Sequence, residues 1–474
     1  MELDIAEPTA SDALMRTVVA GGYCIGCGAC ASLTGSGLEV AWNDDGRLEA
    51  RRSAESLPSR TPVDEVCPFS DAAADEDVLA ADLFSAAPHF HPAVGRHSAC
   101  YVGSVTDSTT RASASSGGLG RFIAATLLSE GHVERVAHVI PHVRKPPDGE
   151  LFAYALTHDP QEVLDGATSA YYPVSLDAVF ATLTHDDVPT AVVGVPCFIK
   201  ALRLLARRDE RIRRNVRFTI GLFCGGLRSA RYAEMIGWQL GVGPNRLSAI
   251  NFREKYADRP ANHKGNRVHT PDGDSRLASS KELFGTDYGM GFFKPIACDY
   301  CDDVTAELAD VSVGDAWLPT HVGEARGASV VVVRSDTVRE LLAKHAASGR
   351  LDLDPVSADT VATSQASGLR HRREGTAYRC SKQASAGNWA PRKRDFGMRR
   401  PSTRRMMVYD LRESIRDESQ AAFAEARARD DYTVFEKRMA PLVRRYQRVL
   451  NPLGARVLNR LKRMVRGYLR RPAA

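Results

Sequence analysis

The chain has 474 residues, a length that excludes a single ordinary domain and predicts two or three. Apolar residues make up 43% of the chain and charged residues 26%, as is typical of a soluble globular protein. No run of 18 apolar residues occurs, and residues 1–15 lack the basic start and apolar stretch of a secretory signal. We therefore expect no membrane-spanning helix, no export and a cytoplasmic location. The net charge of +5 is uneven, because residues 441–474 carry +10 and the rest of the chain sums to −5.

Residues 1–98 are rich in Ala, Asp, Ser and Pro, and four of the ten cysteines lie there. Short β-like pieces such as Leu38–Trp42 occur, but no long periodic segment does. This pattern predicts a small N-terminal region organised around its cysteines rather than around a large apolar core.

Strand and helix patterns alternate from Tyr101 onward. A helix is predicted from Leu119 to a stop at Gly131. The following predicted elements are strand 133–143, helix 176–184, strand 190–195, helix 198–206, strand 216–223, helix 229–240, strands 249–252, 311–313 and 329–334, and helix 337–347. Such alternation predicts an α/β domain, which we place at residues 99–355.

The last quarter of the chain is more polar. Residues 366–408 are rich in Arg, Ser and Gly, so residues 356–410 are predicted to form an irregular linker. Residues 411–474 are predicted to be a helical basic extension with an interruption near residues 451–454.

The first cysteine set consists of Cys24, Cys27, Cys30 and Cys67. Three cysteines at C-x-x-C-x-x-C spacing can bind three irons of a cubane, and Gly26 and Gly28 let the backbone fold closely around the inorganic sulfurs. The fourth ligand would be Cys67, whose following proline matches the end of bacterial ferredoxin motifs. The spacing favours a 4Fe-4S cluster, with a zinc knuckle as the alternative.

The second cysteine set consists of Cys197, Cys224, Cys298 and Cys301. The first two each follow a predicted strand, and the last two form a C-x-x-C loop. Because parallel strands end at one edge of a sheet, all four could meet there and hold a second cubane. Buried structural cysteine is an equal alternative for Cys197 and Cys224 on spacing alone. Cys100 and Cys380 have no partner pattern and are interpreted as structural.

Eight sequence pieces occur in a fixed order: CIGCGAC, VCPFS, ASSGGLGRFIAATLLSEG, SAYYPV, VVGVPCFIKALR, GLFCGG, INFREK and CDYCDDVTAELADVSVGDAW. Together they resemble the coenzyme F-420 (F420) hydrogenase/dehydrogenase beta subunit family, which includes 7-hydroxymethyl chlorophyll a reductase. The resemblance spans residues 20–335, roughly two-thirds of the chain. It implies FAD beside a 4Fe-4S cluster on the second cysteine set and a second 4Fe-4S cluster on the first set.

Candidate flavin contacts follow from this resemblance. Ser115, Ser116, Gly117 and Gly118 precede a predicted helix, whose free N–H groups would suit the flavin pyrophosphate; a plain helix cap is the alternative. Tyr171 could stack on the flavin or pack in the core. Three further charged residues are candidates for phosphate, cofactor or backbone contacts, with ordinary surface or capping roles as alternatives: Arg253, Lys255 and Asp315.

The predicted architecture is therefore α/β, with a small N-terminal iron–sulfur region, a central flavin domain and a helical basic extension. The predicted function is an oxidoreductase that passes electrons between a soluble carrier, coenzyme F-420 or ferredoxin, and a substrate or partner. A non-catalytic electron-transfer subunit and a zinc-stabilised binding module are the alternatives. The catalytic residues and the substrate are not predicted.

The basic tail carries apolar residues at three-to-four spacing in residues 441–470, with arginines between them. This pattern predicts a basic amphipathic helix that could lie on an anionic membrane surface at the inner face or on an acidic partner subunit. The alternative is a helix packed on its own domain. No nucleic-acid partner is expected, because no recognised binding fold is present.

Overall fold

The structure, a computed structural model, describes residues 9–54, 61–145, 149–166 and 168–451. The N-terminal elements surround the first cysteine set and include two short hairpins. In chain order they are α1 (Ala10–Leu14), a π-helix (Met15–Val19), β1 (Leu38–Trp42), β2 (Leu48–Arg52), α2 (Glu76–Leu83), β3 (His89–His91) and β4 (Gly95–His97). The predicted strand 38–42 is confirmed as β1.

An eight-stranded mixed sheet forms the centre of the chain. Its first half contains β5 (Ala99–Val105), α3 (Ser108–Ser113), α4 (Leu119–Ser129), β6 (Arg135–Pro141), β7 (Phe152–Thr157), α5 (Pro160–Asp165), α6 (Asp177–Leu183), β8 (Thr190–Gly194), α7 (Pro196–Ala206), α8 (Glu210–Asn215) and β9 (Val216–Leu222). The predicted helix at Leu119 and its stop are confirmed, since α4 ends just before Gly131, which has φ +74°.

The remaining elements complete this sheet and add a three-stranded sheet and a helical region. They are α9 (Arg231–Gln239), a 3-10 helix (Pro244–Arg246), β10 (Ala249–Glu254), β11 (Gly265–His269), β12 (Ser275–Ser279), 3-10 helices (Tyr288–Met290 and Ile296–Asp299), β13 (Val311–Asp315), β14 (Ser329–Val333), α10 (Asp336–Ala347), β15 (Leu351–Pro355), α11 (Ala358–Ser364), α12 (Ala366–Arg372), α13 (Glu374–Ser385), α14 (Thr403–Ala428) and α15 (Tyr432–Leu450).

The large sheet has the strand order β15-β5-β14-β13-β9-β8-β6-β7. Strands β13, β9, β8 and β6 are parallel to one another, and the outer strands pair antiparallel. Both faces are covered, which explains why β14 is an unbroken, fully buried valine run. Helices α4 and α10 pack on one face, and α6 and α7 pack on the other together with the N-terminal region. The predicted α/β fold is confirmed in this mixed form.

A second apolar core joins β10–β12 to the C-terminal helices. It contains Phe252, Phe293, Phe423 and Phe435, and the rings of Phe293 and Phe435 stack with centroids 5.7 Å apart. The helices α14 and α15 therefore pack onto the preceding domain, and this confirms the predicted helical character of the described part of residues 411–474.

The prediction of an irregular segment at residues 356–410 is wrong in its first half. Helices α11, α12 and α13 occupy most of residues 358–385, and irregular backbone remains only between α13 and α14. The cause is that Arg372 and Arg379 are buried and bond to backbone carbonyls, whereas arginines in a linker would be solvated.

None of the helices in the described ranges combines the length and apolar character that crossing a membrane requires. The predicted basic helix begins within α15, which ends at Leu450. Its continuation over residues 452–470 lies outside the described residues.

Candidate functional site

A cavity of about 660 Å³ opens at the carboxyl ends of the parallel strands. Gly194 at the end of β8, Leu222 at the end of β9 and Asp315 at the end of β13 all line it. This edge is where α/β sheets bind their ligands, and the volume suits a cofactor.

The predicted phosphate loop borders this cavity through Ser115, Ser116 and Gly118, but Gly117 is not in its lining. Gly118 is the N-cap of α4 with φ +84°, and no side chain caps the helix. The first N–H groups of α4 therefore have no intrahelical partner and no side-chain acceptor. Gly117 has a structural role, because its N–H donates to Ser329 Oγ and a Cβ there would meet the carbonyl oxygen of Gly103 at 2.6 Å.

Lys255 supports this loop from outside the cavity lining. Its Nζ donates to the carbonyl oxygens of Arg111 and Ser116 over 2.5 and 2.7 Å. Burial, and then the charges of Lys264 and Arg111, lower the pKa of Lys255 to about 7. The position of Lys255 therefore fixes the backbone at the start of α4.

Arg253 and Asp315 form a bidentate ion pair at the cavity, with both N–O distances at 2.8 Å. Burial by itself would raise the pKa of Asp315. The nearby Arg253 guanidinium outweighs burial and holds the pKa of Asp315 below its usual range. Because Asp315 already pairs with Arg253, the Arg253 guanidinium is not a free cation that could bind an anionic ligand.

Tyr171 lines the cavity and also belongs to an aromatic cluster. Its ring centroid lies 4.8 Å from that of Tyr288 and 5.4 Å from that of Phe252. Core packing, one of the two predicted alternatives, is therefore present, while stacking on a flavin stays a prediction for a ring that also lines the cavity.

The second cysteine set comes together beside the cavity, and Cys224 is part of its wall. Burial, and then the three other thiols of the set, raise the pKa of Cys197 well above its usual range. The backbone N–H of Leu227 donates to Cys298 Sγ over 3.1 Å. A thiol buried among other thiols, as Cys197 is, becomes a thiolate readily only when a cation binds its sulfur.

Arg372 is the charged partner of this set. It is 2% exposed, and its Nη1 donates to the carbonyl oxygen of Cys298 over 2.9 Å. Burial opposes its charge, but the four thiols outweigh that effect and raise the pKa of Arg372 above its usual range.

The first cysteine set surrounds a small cavity of its own, lined by all four cysteines together with Phe69 and Val18. Gly26 and Gly28 have φ of +65° and +88°, as expected for a backbone that curls around its contents. The N–H of Ala50 donates to Cys24 Sγ over 3.3 Å. Burial, and then contacts that include Cys24, raise the pKa of Cys67 to about 12.

The two cysteine sets are neighbours. Cys27 of the first set is close enough to raise the pKa of Cys197 in the second, and Cys24 lines the large cavity together with Cys224. Within the described ranges, no group of three or more His, Cys, Asp or Glu side chains is arranged to hold one metal ion. All ten cysteines, each of them described, are free of disulfides.

Several site residues carry no sequence signal. Arg228 lies over the Tyr288 ring at 3.7 Å, and burial and then Arg253 lower the pKa of Lys264 to about 8. Burial and Arg121 lower the pKa of His138 to about 4. All three line the cavity, yet they stand apart in the sequence and in no motif. Arg228 follows the GLFCGG motif by two residues, and this proximity is its one link to a predicted site.

The cavity loop, Tyr171 and the second cysteine set all fall within two matches to one known sequence family, the beta subunit of coenzyme F420 hydrogenase/dehydrogenase. Residues 100–181 match the N-terminal part of that family, and residues 189–359 match its C-terminal part. Together these matches cover more than half of the chain. The first cysteine set and Arg372 lie outside them.

Individual relatives are more distant. The coenzyme F420-dependent sulfite reductase of Methanocaldococcus jannaschii is 27% identical over 197 residues, which are 38% of this chain and 27% of that protein. The chain therefore spans about a quarter of the length of this curated relative. A chain of the F420-reducing [NiFe] hydrogenase complex from Methanosarcina barkeri, solved with xenon, is 18% identical with a TM-score of 0.48, covering 66% of this chain and 99% of that one. On the two family matches, the chain belongs to the coenzyme F420 hydrogenase/dehydrogenase beta subunit family.

Proposed function

We propose that the chain is an iron–sulfur flavoprotein that transfers electrons between a soluble carrier and a substrate or partner through FAD and two 4Fe-4S clusters. Its family is one of oxidoreductases that include coenzyme F420 enzymes, and the proposal adds the cofactors and their sites. In domain terms, residues 1–98 hold the first cluster and residues 99–355 hold the flavin and the second.

The observation that carries this proposal is the shared wall of the large cavity. Cys24 of the first set, Cys224 of the second set and the Gly118 loop all line it. A flavin in this cavity would lie against both cysteine sets. Flavin accepts a pair of electrons and releases them singly, and clusters carry single electrons, so such contact is what a flavin–cluster relay requires.

The residues present suit a flavin. The uncapped start of α4 offers N–H groups and a helix dipole for the pyrophosphate, and Gly118 allows its close approach. Lys255 holds that loop by its bonds to Arg111 and Ser116. Lys264 adds a cation to the cavity wall, while the Arg253–Asp315 pair presents both charges with fixed geometry.

The cysteine sets suit cubanes. Each set consists of four buried or half-buried cysteines, and each has a backbone N–H that donates to a sulfur, from Ala50 in the first set and Leu227 in the second. Hydrogen bonds of this kind are among the features by which a protein tunes a cluster. Arg372 supplies the second set with a buried positive charge, which an anionic cluster would balance.

The carrier is coenzyme F420 or a ferredoxin, and a partner subunit is the other candidate source or acceptor of electrons. The cavity has the volume for a flavin and is lined by the cation Lys264, which an acidic coenzyme tail would approach. The basic tail remains a proposed contact to a partner subunit or an anionic membrane surface.

The test is anaerobic purification of the full chain, followed by iron, sulfide, zinc and flavin counts and a visible spectrum. About eight irons, about eight sulfides and about one FAD per chain are expected, the load of two cubanes and one flavin. Addition of reduced coenzyme F420 or reduced ferredoxin should then bleach the spectrum.

Three other results would replace the proposal. Clusters without flavin, reduced by a partner protein alone, would make the chain a non-catalytic electron-transfer subunit. A protein with flavin but no iron after reconstitution would remove the relay. A zinc-loaded protein without flavin, unchanged by iron and sulfide, would make it a structural binding module.

A further inference from the structure

A second pocket lies beside the second cysteine set, because Arg372, which bonds to the carbonyl oxygen of Cys298, is part of its lining. It has a volume of about 460 Å³ and is formed by α13 and the irregular backbone that follows it. Its lining includes Arg372, Cys380, Trp389, Lys393 and Met398. All of these belong to the part of the chain beyond the family matches.

The wall of this second pocket touches both cysteine sets. Lys393 Nζ lies 4.7 Å above the ring of Phe69, two residues after Cys67, and its charge acts on the thiols of Cys67 and Cys301. Trp389 packs edge-to-face on Tyr23, the residue before Cys24, with ring centroids 5.3 Å apart. Only a few side chains therefore separate this pocket from each of the two cysteine sets.

Arg373 lines this pocket as a buried cation with unpaired donors. Its side chain is 9% exposed, and its Nε and Nη2 have no hydrogen-bond acceptor. The nearest carboxylate, Glu307, lies 3.6 Å away and is already bonded to Arg394 over 2.9 Å. The guanidinium lies 4.1 Å from the Phe396 ring centroid, which fixes its plane. A buried donor without an acceptor is costly, and an incoming carboxylate would remove that cost.

The surface around the pocket is basic with an apolar centre. Residues 391–400 contain five Lys or Arg and one acidic residue, and Arg392, Arg399 and Arg400 are exposed. Within this segment Met398 is 43% exposed. An apolar contact point ringed by charges of one sign is the usual layout of a protein–protein contact guided by electrostatics.

We propose that this pocket and the basic segment 391–400 are the docking surface of a small acidic protein that carries single electrons. The inference deepens the proposed function, on which its electron-transfer part rests, by giving the acidic protein carrier a docking position on the chain. One electron leaves the reduced carrier and enters the chain at each encounter. Two encounters therefore supply the pair of electrons that a flavin holds.

The test compares two double variants with equal changes of charge. Arg399→Glu/Arg400→Glu reverses the proposed surface, and Arg444→Glu/Arg445→Glu reverses an adjacent exposed pair on α15, which belongs to the basic tail. Binding of an oxidised plant-type ferredoxin to the full reconstituted chain is measured by calorimetry at low ionic strength. The first variant should bind at least about tenfold more weakly, and the second should bind about as the parent protein does.

Stopped-flow bleaching by reduced ferredoxin gives the second readout. The bimolecular rate of the parent protein should fall steeply with salt, while that of the Arg399→Glu/Arg400→Glu variant should be slow at all salt concentrations. Iron and flavin contents should be equal in all three proteins. Oxidised cytochrome c, a basic protein that accepts single electrons from the pre-reduced chain, should be reduced at a rate that shows no such dependence on these arginines.

Four outcomes would overturn the inference. Two concern ferredoxin affinity: an unchanged affinity in the Arg399→Glu/Arg400→Glu variant, or an equal loss of affinity in both variants. The other two are binding of inorganic phosphate without binding of ferredoxin, and a variant that loses only its binding to phosphatidylserine vesicles. Failure of the proposed function looks different. If the chain cannot be loaded with iron or flavin, no variant shows bleaching. The difference in calorimetric affinity between the two double variants would still decide where the acidic protein docks.

Discussion

Arg372 Nη1 lies 2.9 Å from the carbonyl oxygen of Cys298, to which it donates a hydrogen bond, and its charge faces all four cysteines of the second set. The same nitrogen lies 3.5 Å from the carbonyl oxygen of Cys301, and Nη2 lies 3.5 Å from that of Cys224. One guanidinium from α12 therefore ties the Cys298–Cys301 loop to the segment of Cys224 and supplies a positive charge beside the four cysteines.

Replacement of this charge should change the reduction potential of the second cluster. A buried cation favours the reduced, more negative cluster, so Arg372→Met should lower the potential. We expect a shift of at least about tenfold in the one-electron equilibrium constant, or about 59 mV. The measurement is a redox titration followed by electron paramagnetic resonance.

Arg372→Lys is the matched control, because it keeps the charge and loses the forked hydrogen bonds. Its potential should stay near that of the parent protein even if its clusters are lost more readily. Equal potentials in Arg372→Met and the parent, with iron content preserved, would show that the guanidinium is only a structural tie.

Loss of one cysteine from each set should remove one cluster at a time. Cys27→Ala and Cys197→Ala should each lower the iron content from about eight to about four per chain, because a cubane that has lost a thiolate ligand is released. Cys100→Ala is the control, since Cys100 lies in β5 away from both sets. Iron and sulfide analysis of the three variants makes the measurement. A loss of all iron in either single variant would mean that the two sets form one site.

The left-handed glycine at the start of α4 should be needed for flavin binding. Gly118→Ala puts a Cβ at φ +84° and within 3.0 Å of Val105 Cγ2, so the loop must shift. The strain should cost about 1–2 kcal/mol of unfolding free energy. Flavin should bind at least about tenfold more weakly, because the N–H groups of α4 move with the loop.

Gly131→Ala is the matched control at the other end of the same helix. It has φ +74° and no atom within 4 Å of the added Cβ, so it carries similar backbone strain away from the cavity. Thermal unfolding should report comparable losses in both variants, while fluorescence titration with FAD should separate them. If the two variants bind FAD equally well, the Gly118 loop is only a helix cap.

Anion binding in the large cavity should weaken as pH rises through about 8. Burial and then Arg253 lower the pKa of Lys264 to about 8, so its ammonium is charged below that pH and neutral above it. A pyrophosphate or carboxylate ligand therefore loses one cationic partner between about pH 7 and pH 9. Because the folded-state pKa lies below the ordinary value of 10.5, the folding stability from this group has the opposite trend and rises with pH between about 8 and 10.5.

Calorimetric titration of the apoprotein with FAD from pH 6.5 to 9.5 would measure this step. In Lys264→Gln the step near pH 8 should disappear, while any step near pH 7 should persist, because burial and then Arg379 lower the pKa of Lys294, which also lines the cavity, to about 7. An unchanged pH profile in Lys264→Gln would place the titrating group elsewhere.

Periodicity predicted the central elements well because their burial is one-sided or complete. The valine run of β14 is buried on both faces, and α4 presents Leu119, Ile123 and Leu127 to the sheet. In these segments the positions of the apolar residues in the sequence match the faces that are buried in the structure. The first cysteine set is brought together around one small cavity, while the cluster that its spacing predicts stays a prediction.

Residues 366–385 show where such reasoning failed. Their arginines suggested solvent exposure, but Arg379 Nε donates to the carbonyl oxygen of Asp299, a residue 80 positions earlier. Composition cannot distinguish a solvated arginine from one whose buried partner lies that far away in the chain. Lys264 and Arg228 were missed for the same reason, because each reaches the cavity through the fold and stands in no motif.

Asp299, between Cys298 and Cys301, is fully buried and forms an ion pair with Arg416 Nη1 at 2.6 Å, 117 residues further along the chain. At about 5–20 residues per second, a ribosome needs about 6–23 s to add that stretch. Until α12, α13 and α14 have been synthesised, the Cys298–Cys301 loop lacks its cover, and Asp299 lacks the charges of Arg379 and Arg416 that act on it together with Lys294. The proposed second cluster can therefore be enclosed only late in translation or after it, and its four thiols must stay reduced for that time.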